Sequence, residues 1–142
     1  MRLNRNKIAL ACLMLMSAIP MPAFAETLEE AVWNMLNPTT FSLTALDEQC
    51  MVLVETGSNR RFYTRSDIEA YLGSAKSGGT KFEAKDFKVL NKDELNQFAS
   101  ITYQVTWTSS TGNTTTVTHL TSKEIWERVP SGWRRVFAAM NQ

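Results

Sequence analysis

Ala99-Ser100-Ile101-Thr102-Tyr103-Gln104-Val105-Thr106-Trp107-Thr108 alternates apolar with hydroxyl or amide side chains without a break. Successive side chains of a strand point to opposite faces, so a strict period of two predicts a β-strand with one buried and one wet face. Ala99, Ile101, Tyr103, Val105 and Trp107 supply the buried face. Strands of this kind belong to antiparallel sheets covered on one side. The neighbouring stretches read the same way. Downstream, Ser109 to Asn113 is a turn, and Thr114 to Arg128 is a long strand holding Val117, His119, Leu120, Ile125 and Trp126. Pro130-Ser131-Gly132 then turns the chain into a last strand, Trp133 to Met140. Thr114, Thr115, Thr116 and Thr118 read as solvated strand surface. Upstream, Lys81 to Leu90 carries Phe82, Ala84, Phe87 and Val89, and its alternation slips near Asp86, which predicts a bulge and therefore curvature. Asn91 to Asn96 is a polar connection.

Ahead of these strands the pattern changes. Thr27 with Glu30 makes a capping box, and Leu28, Ala31, Val32, Met35 and Leu36 recur at helical spacing until Asn37-Pro38. Thr39 to Asp47 has Phe41, Leu43 and Leu46 with weak periodicity, and stands open between a short helix and a packed loop. Met51 to Val54 and Arg60 to Thr64 pair as strands about a Gly57-Ser58-Asn59 turn. Ser66, with Glu69 three residues on, predicts the cap of a second helix that carries Ile68, Tyr71 and Leu72 on one side and ends at Ser77-Gly78-Gly79. Helices followed by a bent sheet give an α+β class, a curved antiparallel sheet wrapped around the N-terminal helices.

Residues 1–25 read as an address. Arg2, Arg5 and Lys7 form a basic start, Ile8 to Ile19 is apolar apart from Ser17, and Ala23-Phe24-Ala25 is a signal-peptidase site with cleavage between Ala25 and Glu26. The apolar run falls short of the roughly 18 residues of a permanent span. The expectation is an exported protein, periplasmic or secreted, with no permanent membrane anchor and a single domain over residues 26–142. The whole chain has 15 basic and 14 acidic side chains. Losing the three leader cations leaves a slight acidic excess, which argues against a nucleic-acid partner. Cys12 leaves with the leader, so Cys50 stands alone, reads as a buried small side chain and has no internal disulfide partner. A lone histidine without ligand spacing predicts no metal, and nothing in the chain implies a cofactor. Phosphate loops, nucleophile elbows and cysteine knuckles are absent from the sequence. Arg60-Arg61 with Arg65, and Arg134-Arg135, read first as solvated strand surface, with carboxylate or phosphate binding as the alternative.

Lys123-Glu124-Ile125-Trp126-Glu127-Arg128-Val129-Pro130-Ser131-Gly132-Trp133-Arg134-Arg135-Val136 resembles the last hairpin of the nuclear-transport-factor-2-like superfamily, in which an apolar-aromatic strand, a turn ending in Gly and a Trp-Arg-x-Val strand recur. The element order from Thr27 to Asn141 agrees with it. The resemblance implies a cone, a cystatin-like roll whose concave sheet and helices enclose an apolar pocket, and a homodimer packed through the outer sheet surface. Its members include ketosteroid isomerases, SnoaL-like polyketide cyclases, dehydratases and binding or interaction modules, so fold does not select function. For an isomerase or lyase, the resemblance puts Glu55 near the position of the ketosteroid isomerase base. His119 shares strand parity with Val117 and Thr121 and is the alternative base or donor. For a binding protein, Trp33, Phe62, Tyr71, Tyr103, Trp107, Trp126 and Phe137 are the candidates to line a pocket for a small apolar or amphipathic ligand. Where the superfamily's last strand often carries His, this chain has Phe137, Ala138 and Ala139. That departure favours a non-enzymatic small-molecule-binding protein over the isomerase or lyase. A third reading is an assembly module acting through its outer sheet, for which an exposed apolar patch is the sign.

Overall fold

Six strands form one sheet in the order β2-β1-β6-β5-β4-β3. They are β1 (Leu46–Thr56), β2 (Asn59–Thr64), β3 (Thr80–Lys92), β4 (Phe98–Thr111), β5 (Thr114–Val129) and β6 (Gly132–Asn141), with helices α1 (Leu28–Leu36) and α2 (Arg65–Ala75) and a 3-10 turn at Leu43–Ala45. The computed structural model describes residues 26–75 and 79–142. The leader expected over 1–25, and Ser77 and Gly78 of the expected helix end, lie outside the described residues.

α1 begins where the capping box predicts. The Glu30 N–H donates to Thr27 Oγ1 at 3.2 Å, and the Thr27 N–H donates to the Glu30 carboxylate at 2.8 Å. Its buried stripe is Leu28, Ala31, Val32 and Met35. The weakly periodic stretch after it resolves into the 3-10 turn, capped by Ser42, and β1 starts at Leu46, ahead of the expected Met51. The α2 cap differs from the expectation. Thr64, not Ser66, closes a reciprocal pair: its N–H and hydroxyl donate to Asp67 Oδ2 at 2.8 and 2.9 Å, and the Asp67 N–H returns to Thr64 Oγ1 at 3.4 Å. Both Thr64/Asp67 and Ser66/Glu69 fit the spacing. Thr64 prevails because β2 delivers it with the extended backbone that an N-cap requires, while Ser66 already lies in the first turn.

Four of the five strand pairs are antiparallel. The fifth, β1 with β6, is parallel, so the sheet is mixed where a purely antiparallel one was expected. The expected bulge is present: Asp86 has φ 58°, and the β3–β4 register shifts between Lys85 and Lys88. Further shifts fall between Leu46 and Met51 in β1 and opposite Ile125/Trp126 in β6. Each bulge bends its strand, and together they curl the sheet around the helices. At the start of β3, Gly79 has φ +62°, and a Cβ there would meet the Ser110 carbonyl oxygen at 2.6 Å. Only glycine lets these two backbones pass so closely.

The concave face carries the core. Ile101, Tyr103, Val105, Leu120, Trp126 and Ala138 pack against Val32 and Met35 of α1 and Ile68 and Leu72 of α2. Cys50 is buried and free, and burial pushes its thiol above the usual range. The opposite face of the sheet shows Met51, Phe62, Val117 and Ile125 to solvent.

Candidate functional site

Strand alternation aims one side chain in two at the helices, and where β1, β4, β5 and β6 diverge from α2 those side chains do not fill the space. They leave a cavity of about 120 Å³. Val52, Val54, Val105, Leu120 and Met140 form its sheet side, and Ile68, Tyr71 and Leu72 its α2 side. An apolar cavity of roughly 150 Å³ holds benzene, so this one suits a body of about one six-membered ring. Its rim is half-buried and aromatic: Tyr71 meets Trp107 edge-on at 5.7 Å, and Phe82 stacks on Trp107 at 6.1 Å and 23°. Burial raises the Tyr71 phenol above its ordinary pKa.

Arg135 and Met35, both buried, belong to the cavity wall, and a buried polar cluster lies beside it. Next to Arg135 sits Glu124, its side chain fully covered. Tyr103 Oη and Ser122 Oγ donate to Glu124 Oε1 at 2.6 and 2.8 Å, Trp126 Nε1 donates to Oε2 at 2.6 Å, and Arg135 Nη1 reaches Oε1 at 3.4 Å. The register explains the gathering: Tyr103 pairs with Ser122, Glu124 with Ala138 and Trp126 with Arg135, all on the inner face. A buried carboxylate is costly unless its lone pairs are satisfied, and four donors do so here. Burial, and then the charge of Glu124, drive the Tyr103 phenol well above its ordinary pKa, so it stays a neutral donor.

The structure sorts the sequence candidates into three groups. Tyr71 and Trp107 line the cavity. Tyr103 and Trp126 are buried in the polar cluster, and Trp33 packs edge-on against Tyr103 at 5.9 Å and borders a second, more polar recess. Phe62 and Phe137 stand on the outer face, Phe62 beside Leu53 and Phe137 between Met51 and Ile125. The acid-base candidates are there too. Glu55 pairs with Arg60 at 2.5 Å, and its neighbours Val54 and Thr56 take the inner parity. His119 is exposed, with Nδ1 3.2 Å from Thr106 Oγ1. It was available to point inward, but Leu120, Ser122, Glu124 and Trp126 take the inward parity of β5. Among the described residues, no group of three or more His, Cys, Asp or Glu side chains is placed to hold a metal ion.

Glu124 and Ser122 were missed as site residues, and Arg135, read first as solvated strand surface, is buried. The signal for Glu124 was present, since it shares parity with Leu120 and Trp126. Arg135 was hidden by the β6 bulge. Counting back by twos from Ala138 would aim Arg134 inward, but the extra residue at Val136 reverses the parity. Arg134 therefore faces out, bound to Glu127 at 2.7 Å and Asp47 at 3.1 Å, and Arg135 faces in.

No family model and no curated protein matches the chain. Solved structures do. An NTF2-like protein of unknown function in nutrient uptake from Rhodospirillum rubrum is 19% identical over 80% of this chain and 93% of its own, with a TM-score of 0.59. An NTF2-like protein with a cystatin-like fold from Novosphingobium aromaticivorans is 15% identical over 97% of this chain and 89% of its own, with a TM-score of 0.59. A type 2 hexachlorocyclohexane dehydrochlorinase is 10% identical over 93% of this chain and 87% of its own, with a TM-score of 0.60. The fold is thus the nuclear-transport-factor-2-like, cystatin-like α+β roll, a scaffold shared by enzymes and by proteins of unknown function.

Proposed function

We propose that this chain is an exported binding protein that holds a small apolar or amphipathic molecule in the cavity between α2 and the concave sheet. The carrying observation is the wall itself: aliphatic and aromatic side chains surround a space of about 120 Å³, with Arg135 the one charged residue among the described residues that line it. Loosely filled apolar space with few polar groups is what a ligand pocket needs. Its size sets the class, a compact ring or short branched chain and not a polycyclic body. Catalysis by Glu55 or His119 gains no support from this arrangement, because both stand on the outer face. Glu124, beside Arg135, is not on the cavity wall, and its oxygens are already taken by four donors.

The export reading rests on the leader pattern of residues 1–25, and the outer face supports a homodimer. Met51, Phe62 and Ile125 are 41%, 53% and 44% exposed, and the register places Leu53 and Phe137 among them. These side chains make one apolar stripe across β2, β1, β6 and β5, and a second copy of the chain would cover it.

Native mass spectrometry of the protein from its own host tests these points together. The expected result is a chain beginning at Glu26, a dimeric mass, and an adduct of low mass that leaves on denaturation. A full-length monomer without an adduct would contradict all three.

A further inference from the structure

The β3–β4 hairpin ends in a tip that stands clear of the core. Residues 88–98 are all exposed, yet four of them are large and apolar: Leu95 is 74% exposed, Leu90 57%, and Val89 and Phe98 44% each. They lie on both faces. Val89 pairs with Ile101 on the inner parity, whereas Phe98 precedes the inward Ala99 and pairs with Glu127 on the outer one. The turn that carries Leu95 is tied down. The Asp93 carboxylate accepts the Gln97 and Phe98 N–H groups at 2.6 and 2.8 Å, the Asp93 N–H donates to the Phe98 carbonyl at 3.2 Å, and its carbonyl accepts from the Asn96 N–H at 3.0 Å. Asn96 takes a φ of 52° to close the turn. An apolar side chain is thus shown to water at a fixed place, on a backbone with much of its hydrogen bonding already satisfied.

Cations collar the tip. Lys88 and Lys92 on β3 are exposed, as is Arg128 on β5, whose N–H donates to the Gln97 carbonyl at 2.7 Å. None of the three forms an ion pair among the described residues. Of the nearby acids, Asp93 is engaged in the turn and Glu127 binds Arg134, which leaves Glu94 as the one acid opposing them within residues 88–98.

We infer that this tip docks reversibly on an anionic lipid bilayer, with Val89, Leu90, Leu95 and Phe98 entering the interface and Lys88, Lys92 and Arg128 meeting the lipid phosphates. Exposed apolar clusters mark protein or membrane contacts. A protein partner packs on one face of a hairpin, whereas a bilayer surrounds a tip, and apolar side chains on both faces beneath unpaired cations fit the bilayer. Interfacial binding sums buried apolar area with attraction between basic side chains and anionic headgroups. Backbone groups satisfied within the turn lower the cost of leaving water. The cavity and its ligand play no part in this docking.

Flotation of the protein from its own host tests this, with vesicles of phosphatidylcholine alone and of phosphatidylcholine with an equal part of phosphatidylglycerol. Partition onto the mixed vesicles is expected to be stronger by roughly tenfold or more and to weaken with added salt. Leu95→Asp should cut it roughly tenfold, and Lys88→Gln with Lys92→Gln about tenfold on the mixed vesicles only. Glu94→Gln should strengthen it. All four positions are exposed, so folding is not at stake in these variants. Absence of flotation, equal partition onto both vesicles, or binding that Leu95→Asp leaves unchanged would overturn the inference. A dimer that Leu95→Asp dissociates in sedimentation, with no flotation of either form, would overturn it in favour of a second copy of the chain.

Discussion

Arg134 and Arg135 are neighbours in the chain and occupy different media. Arg134 lies on the outer face, one-third exposed, between Asp47 and Glu127. Arg135 lies on the inner face, against a carboxylate with no exposed surface. Outside, water competes for every partner, so an ion pair contributes little. Inside, each polar atom depends on its neighbours, and removing one leaves a charge that nothing solvates. The same contrast runs along β5, where Leu120 and Trp126 build the core while His119 and Ile125 look outwards. One sheet thus has a face that sets stability and shapes a cavity, and a face free to meet other molecules.

The largest test of that contrast is the arginine pair. Arg135→Ala should destabilise by about 3–5 kcal/mol, because Glu124 is left buried without its cation, whereas Arg134→Ala should cost less than about 1 kcal/mol. Urea unfolding measures both, and equal losses would break the comparison. Next come Leu120 and His119. Leu120→Ala should cost about 2–5 kcal/mol through the enlarged cavity, and His119→Ala should stay within about 0.5 kcal/mol, with binding of any cavity ligand altered only by the first.

The helix cap gives a smaller effect. Thr64→Ala should cost about 1 kcal/mol, against about 0.5 kcal/mol or less for Ser66→Ala. The Thr64 hydrogen bonds hold the Asp67 carboxyl below its ordinary pKa. A lowered folded-state pKa adds stability that is fully present above the unfolded value, about 4, and is lost as pH falls through the folded one. The penalty of Thr64→Ala should therefore shrink in acid, and a pH series of thermal melts reads this. A penalty that grows in acid would contradict the assignment. Ile125→Lys should have the least effect on unfolding of the monomer, within about 0.5 kcal/mol, yet sedimentation should show it converting a dimer to monomers. An unchanged sedimentation profile would remove the outer face as the dimer contact.

Most of the fold was legible because it follows from periodicity. The unbroken alternation of Ala99 to Thr108 specified β4 and its inner face, and the slip at Asp86 marked a bulge. The Trp133-Arg134-Arg135-Val136 hairpin located the end of the roll. What could not be read depended on contacts distant in sequence. The parallel pairing of β1 with β6 joins the start and end of the sheet, and no local pattern encodes it. The site was less legible than the fold. Tyr71 and Trp107 line the cavity, but Phe62 and Phe137 are equally large and apolar and face outwards, since size alone carries no direction. Glu124 carried a readable parity signal within β5. Arg135 did not, because a bulged residue two strands from the β4 alternation decides which of two adjacent arginines turns in.

The most direct test of the concave cavity as the binding site is methyl NMR of the protein titrated with toluene. Shifts are expected to saturate at Val52, Val54, Val105 and Leu120, while Val117 and Ile125 on the outer face stay in place. Saturating shifts at Val117 and Ile125 with an unmoved interior, or no saturable shift at any methyl group, would contradict it.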